Sequence, residues 1–166
     1  MAIYPIRVFP DPVLRTVTTP VTDFGPELSK LADDMLETMY AAPGVGLAGP
    51  QIGVPKQIFV ADIGDGPFVM INPEIVETSG KWKFEEGCLS VPGYWWEFSR
   101  PAFARARGLD LNGRPVEHAG DELIGRLLQH ETDHLIGTLL LERLPRRLRK
   151  DAFRDLRDAV PPSGVE

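Results

Sequence analysis

The sequence has little of what several classes of protein require. Its 166 residues include one cysteine, Cys88, so no disulfide can form within the chain, and a reducing compartment is expected. A formal net charge of −6 argues against a general nucleic-acid binder. No apolar run approaches the roughly 20 residues of a membrane span, and prolines at positions 5, 10, 12 and 20 exclude a signal-peptide core. These absences predict a cytoplasmic protein without a membrane partner.

Length and element order predict the fold class. A chain of 166 residues is expected to form one domain over 1–160, followed by a frayed tail at 161–166. Pro26 opens a helical segment, and Asn112-Gly113 predicts a type I′ turn within a hairpin at Phe103–Val116. The strand-like runs before that hairpin are Gln57–Ile63, Phe68–Val76 and Lys81–Glu86. Because strands and helices do not alternate as βαβ units, an α+β fold is favoured over a parallel sheet.

The most informative segment is His130-Glu131-Thr132-Asp133-His134. Residues four apart on a helix lie one above the other, so the two imidazoles can reach one metal ion at about 2.0–2.1 Å. Glu131 stands beside that position, where a carboxylate can take a proton from a water on the metal. Asp133 is expected to face another way on the helix. The segment therefore predicts a water-activating metal site.

The flanking sequence supports a helix around this segment. Leu123 and Leu127 fall on the same stripe as the two histidines, Asp121 is a suitable N-cap, and Gly137 is a suitable stop. A histidine on an apolar helix face is often a core residue that needs no metal. Two histidines and a carboxylate on a buried helix need partners, however, because unpaired buried polar groups are costly. A shared metal is the simplest partner.

A catalytic metal needs a third protein ligand, and the sequence offers few candidates. Residue 140, where a metzincin carries its third histidine, is a leucine. Glu142 follows His134 too closely for a thermolysin-like site, and His118 lies in a charged, turn-rich stretch where solvent exposure is the expected explanation. Cys88 remains, at the end of a predicted strand. Taken by itself, it is either a thiolate ligand or a small buried hydrophobe.

Three ordered segments resemble the peptide deformylase family, namely Gly44 to Gln51, Glu86 to Ser90 and Gln129 to Leu135. The resemblance spans most of the chain and implies antiparallel strands wrapped around a central metal-binding helix, with a C-terminal helix. It also implies a reaction, the hydrolytic removal of the formyl group from the N-terminal methionine of new polypeptides. Gly49 replaces an alanine of the family pattern, and the Tyr94-Trp95-Trp96 run lies at the substrate rim, where the family varies.

The resemblance also implies roles for individual residues. The metal ligands that it implies are Cys88, His130 and His134. Glu131 is expected to accept the water proton and then deliver it to the leaving amine. The Gln51 amide and the Leu89 backbone N–H are expected to donate to the formyl oxygen as it becomes charged. The candidates for the methionine pocket are Gly44, Val45, Gly46, Phe84 and Leu127.

The family also implies a cofactor and partners. Its bacterial members usually use ferrous iron, with zinc, nickel or cobalt able to occupy the site, and the sequence does not choose among them. The expected substrates are N-formyl-methionyl nascent peptides, and a monomer is expected. A basic cluster after the metal helix is interpreted either as a solvated helix face or as a ribosome contact. That cluster is formed by Arg143, Arg146, Arg147, Arg149 and Lys150.

Two other functions and one local contact stay open. A zinc endopeptidase shares the histidine–glutamate core, but it would act on unformylated peptides. A non-catalytic protein with a closed structural metal would need a fourth ligand, and His118 is the one imidazole left to supply it. Glu86 and Arg100 form either a pair that braces the strand before Cys88 or a plain surface ion pair.

Overall fold

Helices and strands follow one another along residues 2–159, the part of the chain that the structure, a computed structural model, describes. The α-helices are α1 (Pro26–Ala41), α2 (Glu122–Leu135), α3 (Leu140–Arg143) and α4 (Arg146–Ala159), and two short 3-10 helices span Pro12–Arg15 and Gly49–Ile52. The strands are β1 (Gly46–Ala48), β2 (Ile58–Ala61), β3 (Phe68–Ser79), β4 (Trp82–Gly87), β5 (Trp95–Arg100), β6 (Phe103–Leu109) and β7 (Pro115–Asp121). The predicted frayed tail at 161–166 lies outside the described residues.

Five strands form one antiparallel sheet in the order β1-β2-β3-β6-β7, and β4 pairs with β5 in a separate two-stranded ribbon. All four residues of β2 are buried, because a helix covers each face of the sheet there. Ile58 and Val60 pack in one cluster with residues of α1, whereas Phe59 and Ala61 pack in another with residues of α2. This burial on both faces explains the unbroken apolar run in the sequence.

The α+β fold class is confirmed, with strands on two sides of α2. The helix packs against β1, β6 and β7 of the sheet, and Arg126 hydrogen-bonds to backbone carbonyls of both ribbon strands. The predicted stop at Gly137 is also confirmed, since this glycine has a φ of +73° just beyond the helix. Asp121 occupies the N-cap position as expected, but its side chain makes no capping hydrogen bond, and β7 runs through it into α2.

The predicted hairpin forms between β6 and β7, but the predicted turn type is wrong. A type I′ turn needs positive φ at both central residues, whereas here φ is positive at Gly113 and not at Asn112. The Gly113 N–H donates to the Asp110 carbonyl at 3.0 Å, and Asp110 Oδ1 accepts from the N–H groups of Asn112 and Arg114. The Asp110 side chain therefore stabilises a longer loop that ends in a left-handed glycine.

His118 lies in strand β7 rather than in a turn, so the expectation of simple solvent exposure is wrong. Its ring stacks on Phe68 with 4.0 Å between ring centroids and an interplanar angle of 22°. Burial lowers the pKa of His118 below its ordinary value. Strands β1 and β5 were not predicted, since β1 is only three residues long and β5 begins inside the Tyr94-Trp95-Trp96 run.

The C-terminal basic segment is helical as predicted, but it forms two helices, because Arg143 ends α3 and pairs with Asp133 whereas the other four basic residues lie on α4. Ala152 and Leu156 are buried on one face, while Arg146, Arg147 and Lys150 are exposed to solvent. Along residues 2–159, no helix combines the length and the apolar character that crossing a bilayer would require.

Candidate active site

Helix α2 and the end of strand β4 bring three candidate metal donors together. Cys88 is the first residue after β4, and its Sγ lies 3.4 Å from His134 Nε2. His134 Nε2 lies 3.2 Å from His130 Nε2, because the two rings stand one turn apart on α2. All three donor atoms lie within 4.8 Å of one another. The sequence-predicted ligand set is thus assembled from two segments that are distant in the chain.

The donor separations fit one divalent metal. Metal–sulfur and metal–nitrogen bonds of about 2.3 and 2.0–2.1 Å in a tetrahedral arrangement put the donors about 3.3–3.6 Å apart. Both measured separations are close to that range. Burial lowers the pKa of His134 well below its ordinary value, because a charged ring would lose its hydration there. Within residues 2–159, the cluster holds these three donors and His118 is not among them, which disfavours a closed structural site.

Glu86 fixes the orientation of His130. The His130 Nδ1–H donates to Glu86 Oε1 at 2.6 Å, which leaves Nε2 directed toward His134. Arg100 donates to both oxygens of Glu86 and, through Nη1, to Asp133 at 2.9 Å. Although burial opposes ionisation of Glu86, its hydrogen bonds with His130 and Arg100 hold the pKa of Glu86 well below the ordinary value. Because Glu86 and Arg100 are buried, the alternative of a plain surface ion pair is wrong.

Arg126 is a buried charge that the sequence reasoning missed. Its Nε donates to Glu86 Oε2 at 2.5 Å, and its Nη2 donates to the Phe98 carbonyl at 2.8 Å. The guanidinium also contacts the carbonyls of Trp82 and Phe84, so it ties α2 to both strands of the ribbon. The sequence did contain a signal for this role, because Arg126 lies one turn before His130 on the apolar side of the helix. A charge in that position needs a buried partner.

Glu131 is buried on helix α2 and lines the main cavity, whose wall also includes Cys88 and His130. Burial raises the pKa of Glu131 to about 7, since a buried carboxylate loses its hydration. Its Oε2 has no hydrogen-bond partner among the described residues. A methyl group built on Gly46 would stand 2.3 Å from Glu131 Oε1, so the absence of a side chain there makes room for the carboxylate.

Gln51 lies on the other side of the cysteine. Its Oε1 accepts from the Ala48 N–H at 2.9 Å, which directs Nε2 toward Ser90 Oγ at 3.1 Å and Cys88 Sγ at 3.6 Å. Ser90 is fully buried and was not identified from the sequence. Leu89 follows the cysteine, and its side chain lies so close to Gly44 that a methyl group on that glycine would stand 2.7 Å from Leu89 Cδ1.

A cavity of about 520 Å³ opens over these groups, a volume suited to a small ligand or a few peptide residues. Its wall includes the ligand candidates Cys88 and His130 together with Glu131 and Gln51. All of the residues predicted for the methionine pocket also line it, namely Gly44, Val45, Gly46, Phe84 and Leu127. Asp133 faces a different side of α2, as predicted, where it pairs with Arg100 and Arg143.

Known proteins share both the sequence and the fold. A family model described as polypeptide deformylase matches residues 3–150. A peptide deformylase of Agathobacter rectalis is 53% identical over 125 residues, which cover 74% of this chain and 78% of the relative. The crystal structure of peptide deformylase from Thermus thermophilus is 42% identical, covers 94% of each chain and has a TM-score of 0.89. One from Ehrlichia chaffeensis in complex with actinonin is 37% identical, covers 98% of this chain and all of its own, and has a TM-score of 0.90. The chain belongs to the peptide deformylase family, metal-dependent hydrolases that remove the formyl group from the N-terminal methionine of newly made polypeptides.

Proposed function

We propose that Cys88 Sγ, His130 Nε2 and His134 Nε2 hold the divalent metal on which the family depends. The convergence of these three donors supports this set of ligands. The hydrogen bond from His130 Nδ1 to Glu86 also supports it, because it leaves Nε2 free to bind the metal. A divalent ion held there would supply Lewis acidity and would lower the pKa of water to about 7. Ferrous iron is the ion we propose, with zinc, nickel or cobalt able to replace it, since a thiolate with two imidazoles suits all four.

Glu131 is the proton carrier in this proposal. Its carboxylate takes a proton from the attacking water and passes it to the methionine nitrogen as the formyl C–N bond breaks, so formate and a free amine leave. Burial raises the pKa of Glu131, which favours its taking up the proton that it must then deliver to the amine. The buried Oε2 supports the role because, within the described part of the chain, it has no hydrogen-bond partner that would hold its lone pairs.

The Gln51 side chain and the Leu89 backbone N–H are proposed to stabilise the negative oxygen that forms at the formyl carbon. Donors fixed before the reaction are the most effective ones, because they need no reorganisation. Three hydrogen bonds fix the amide of Gln51 in that way, because its Oε1 accepts from the Ala48 N–H and its Nε2 donates to Ser90 Oγ and to Cys88 Sγ.

The methionine side chain is proposed to enter the cavity among Gly44, Val45, Gly46, Phe84 and Leu127. Two strand edges face this space, since β1 is the edge strand of the five-stranded sheet and β4 pairs on one side only among the described strands. An extended peptide between them can hydrogen-bond to backbone groups, which binds any sequence in the same register. This arrangement suits an enzyme whose substrates all begin with formyl-methionine and differ in the residues that follow it.

The proposed partners follow from the substrate. Newly made polypeptides carry the formyl group as they leave the ribosome, so we propose that the enzyme works in the cytoplasm. We also propose that it is a monomer. The exposed basic residues of α4, which stand out on an acidic protein, are proposed to contact ribosomal RNA.

The buried carboxylate of Glu131 beside three converging metal donors is the observation that carries these proposals. The test is formate release from a short formyl-Met-Ala peptide by protein loaded with iron without oxygen. We expect turnover on this peptide and none on the same peptide without the formyl group. Cleavage of unformylated peptides alone would favour an endopeptidase, and metal binding without hydrolysis would favour a structural metal.

A further inference from the structure

Exposed apolar side chains gather around the mouth of the main cavity. Val45, Phe84, Trp95 and Leu123 each leave more than a third of their surface in solvent, and all four line this one opening. Trp95 is the largest of them and is 62% exposed. Contiguous exposed apolar surface at the rim of a pocket marks a contact site, because the same atoms would otherwise be buried.

Trp95 is held in place although it is exposed. It pairs with Gly87 across the β4–β5 ribbon, and its indole lies over that glycine. A methyl group built on Gly87 would stand 2.5 Å from Trp95 Nε1, so the ring rests directly on the backbone. The next residue along the chain is Cys88. The indole is therefore a flat, fixed surface one residue away from the proposed metal site.

We propose that Trp95 binds the side chain of the second residue of the substrate and gives the enzyme a preference for aromatic or large apolar side chains at that position. This inference rests on the proposed function, with methionine in the cavity. In an extended peptide, successive side chains point to opposite sides, so the second one turns from the cavity toward its mouth. There the indole meets it, and paired aromatic rings gain stabilisation beyond the area that they bury.

Charges at the mouth sharpen the expected preference. Glu85 lines the same opening, and the nearby Lys83 pairs with Glu97 at 2.8 Å, so its positive charge is already matched. An acidic second residue would therefore meet a carboxylate and no free cation among these side chains. The expected order of substrates is phenylalanine, then alanine, then glutamate at the second position.

The test compares kcat/KM for formyl-Met-Phe, formyl-Met-Ala and formyl-Met-Glu peptides of equal length. We expect the wild-type enzyme to prefer phenylalanine over alanine about ten-fold. Trp95→Ala should lose that preference mainly through a higher KM for the phenylalanine peptide, while its rate on the alanine peptide stays within about two-fold of wild type. Trp95→Phe should keep most of the preference, because it keeps an aromatic face.

Ile136→Ala is the matched control, since Ile136 is also exposed but lines a different cavity. It should leave all three rates unchanged. An equal loss on all peptides in Trp95→Ala would overturn the proposal and make Trp95 a structural support for Gly87. An unchanged preference in Trp95→Ala, or one that follows the third residue instead, would also overturn it. Formate release from the alanine peptide tests the proposed function separately.

Discussion

The carboxylate of Glu131 lies directly against the backbone of Gly46, so that even a methyl group on this glycine would overlap Oε1 at 2.3 Å. The two residues come from α2 and from the edge strand β1, and they face each other inside the main cavity. Gly46 is also one of the residues predicted for the methionine pocket. The structure adds a second reason for glycine there, because the proton carrier that we propose needs that space.

Replacing Gly46 with alanine should lower turnover and keep the metal. The added methyl group would push the flexible end of Glu131 aside, and a displacement of about 1 Å at a reacting group can cost about 10²-fold in rate. The measurements are formate release and metal content. Gly25→Ala is the control, since a methyl group there meets one atom at 3.3 Å, far along the chain from the cavity residues. Wild-type turnover in Gly46→Ala would mean that Glu131 does not need its present position.

Cys88→Ala should lose the metal, whereas His118→Ala should keep it. Cys88 is one of the three converging donors, and two imidazoles alone bind a metal weakly. His118 stacks on Phe68 in β7, so its removal disturbs packing and leaves the donors in place. Metal content of both purified variants decides this. Equal stoichiometry would remove Cys88 from the ligand set and reopen a structural metal site.

The parts of the site that the sequence predicted are those that depend on local geometry or on the family pattern. The spacing of His130 and His134 is set by one helix, so it could be predicted from five residues. The stack of His118 on Phe68 and the pair formed by Arg126 and Glu86 depend on how distant segments meet, and no local pattern records that. Glycines at 44 and 46 could be noticed in the sequence, but their neighbours Leu89 and Glu131 become visible only in the fold.

Arg126→Leu should destabilise the protein by about 3–5 kcal/mol, which is the usual cost of removing one partner from a buried ion pair. The substitution leaves Glu86 without one cation and the Phe98 carbonyl without its donor. Urea unfolding of the metal-loaded protein measures the loss. Arg105→Leu is the control, because Arg105 makes two ion pairs, with Glu77 and Glu117, that lie at the surface, and its loss should be much smaller. Equal losses of unfolding free energy in the two variants would show that the buried ion pair of Arg126 contributes no more than a surface ion pair.

The basic residues of α4 should affect ribosome binding and leave the chemistry unchanged. Replacing Arg146, Arg147, Arg149 and Lys150 with glutamine leaves every cavity residue intact, so turnover on a short formyl-Met-Ala peptide should stay near wild type. Co-sedimentation with isolated ribosomes should weaken, and binding of the wild-type protein should fall as salt is added.

The control for that experiment removes exposed arginines elsewhere, for example by Arg107→Gln on strand β6, and should not change ribosome binding. Co-sedimentation that is the same for the wild type and the fourfold variant would make the basic face of α4 an ordinary solvated surface.

The most direct measurement is formate release by Glu131→Gln, with its metal content determined on the same sample. Glutamine keeps the shape of the side chain and leaves Cys88, His130 and His134 untouched, so the metal should stay bound at the wild-type ratio. Removing a general acid–base group typically costs about 10²–10⁴-fold, and this group serves both proton transfers, so we expect turnover to be almost abolished. A Glu131→Gln protein that keeps its metal and retains more than half of the wild-type formate release would contradict the proposed role of Glu131.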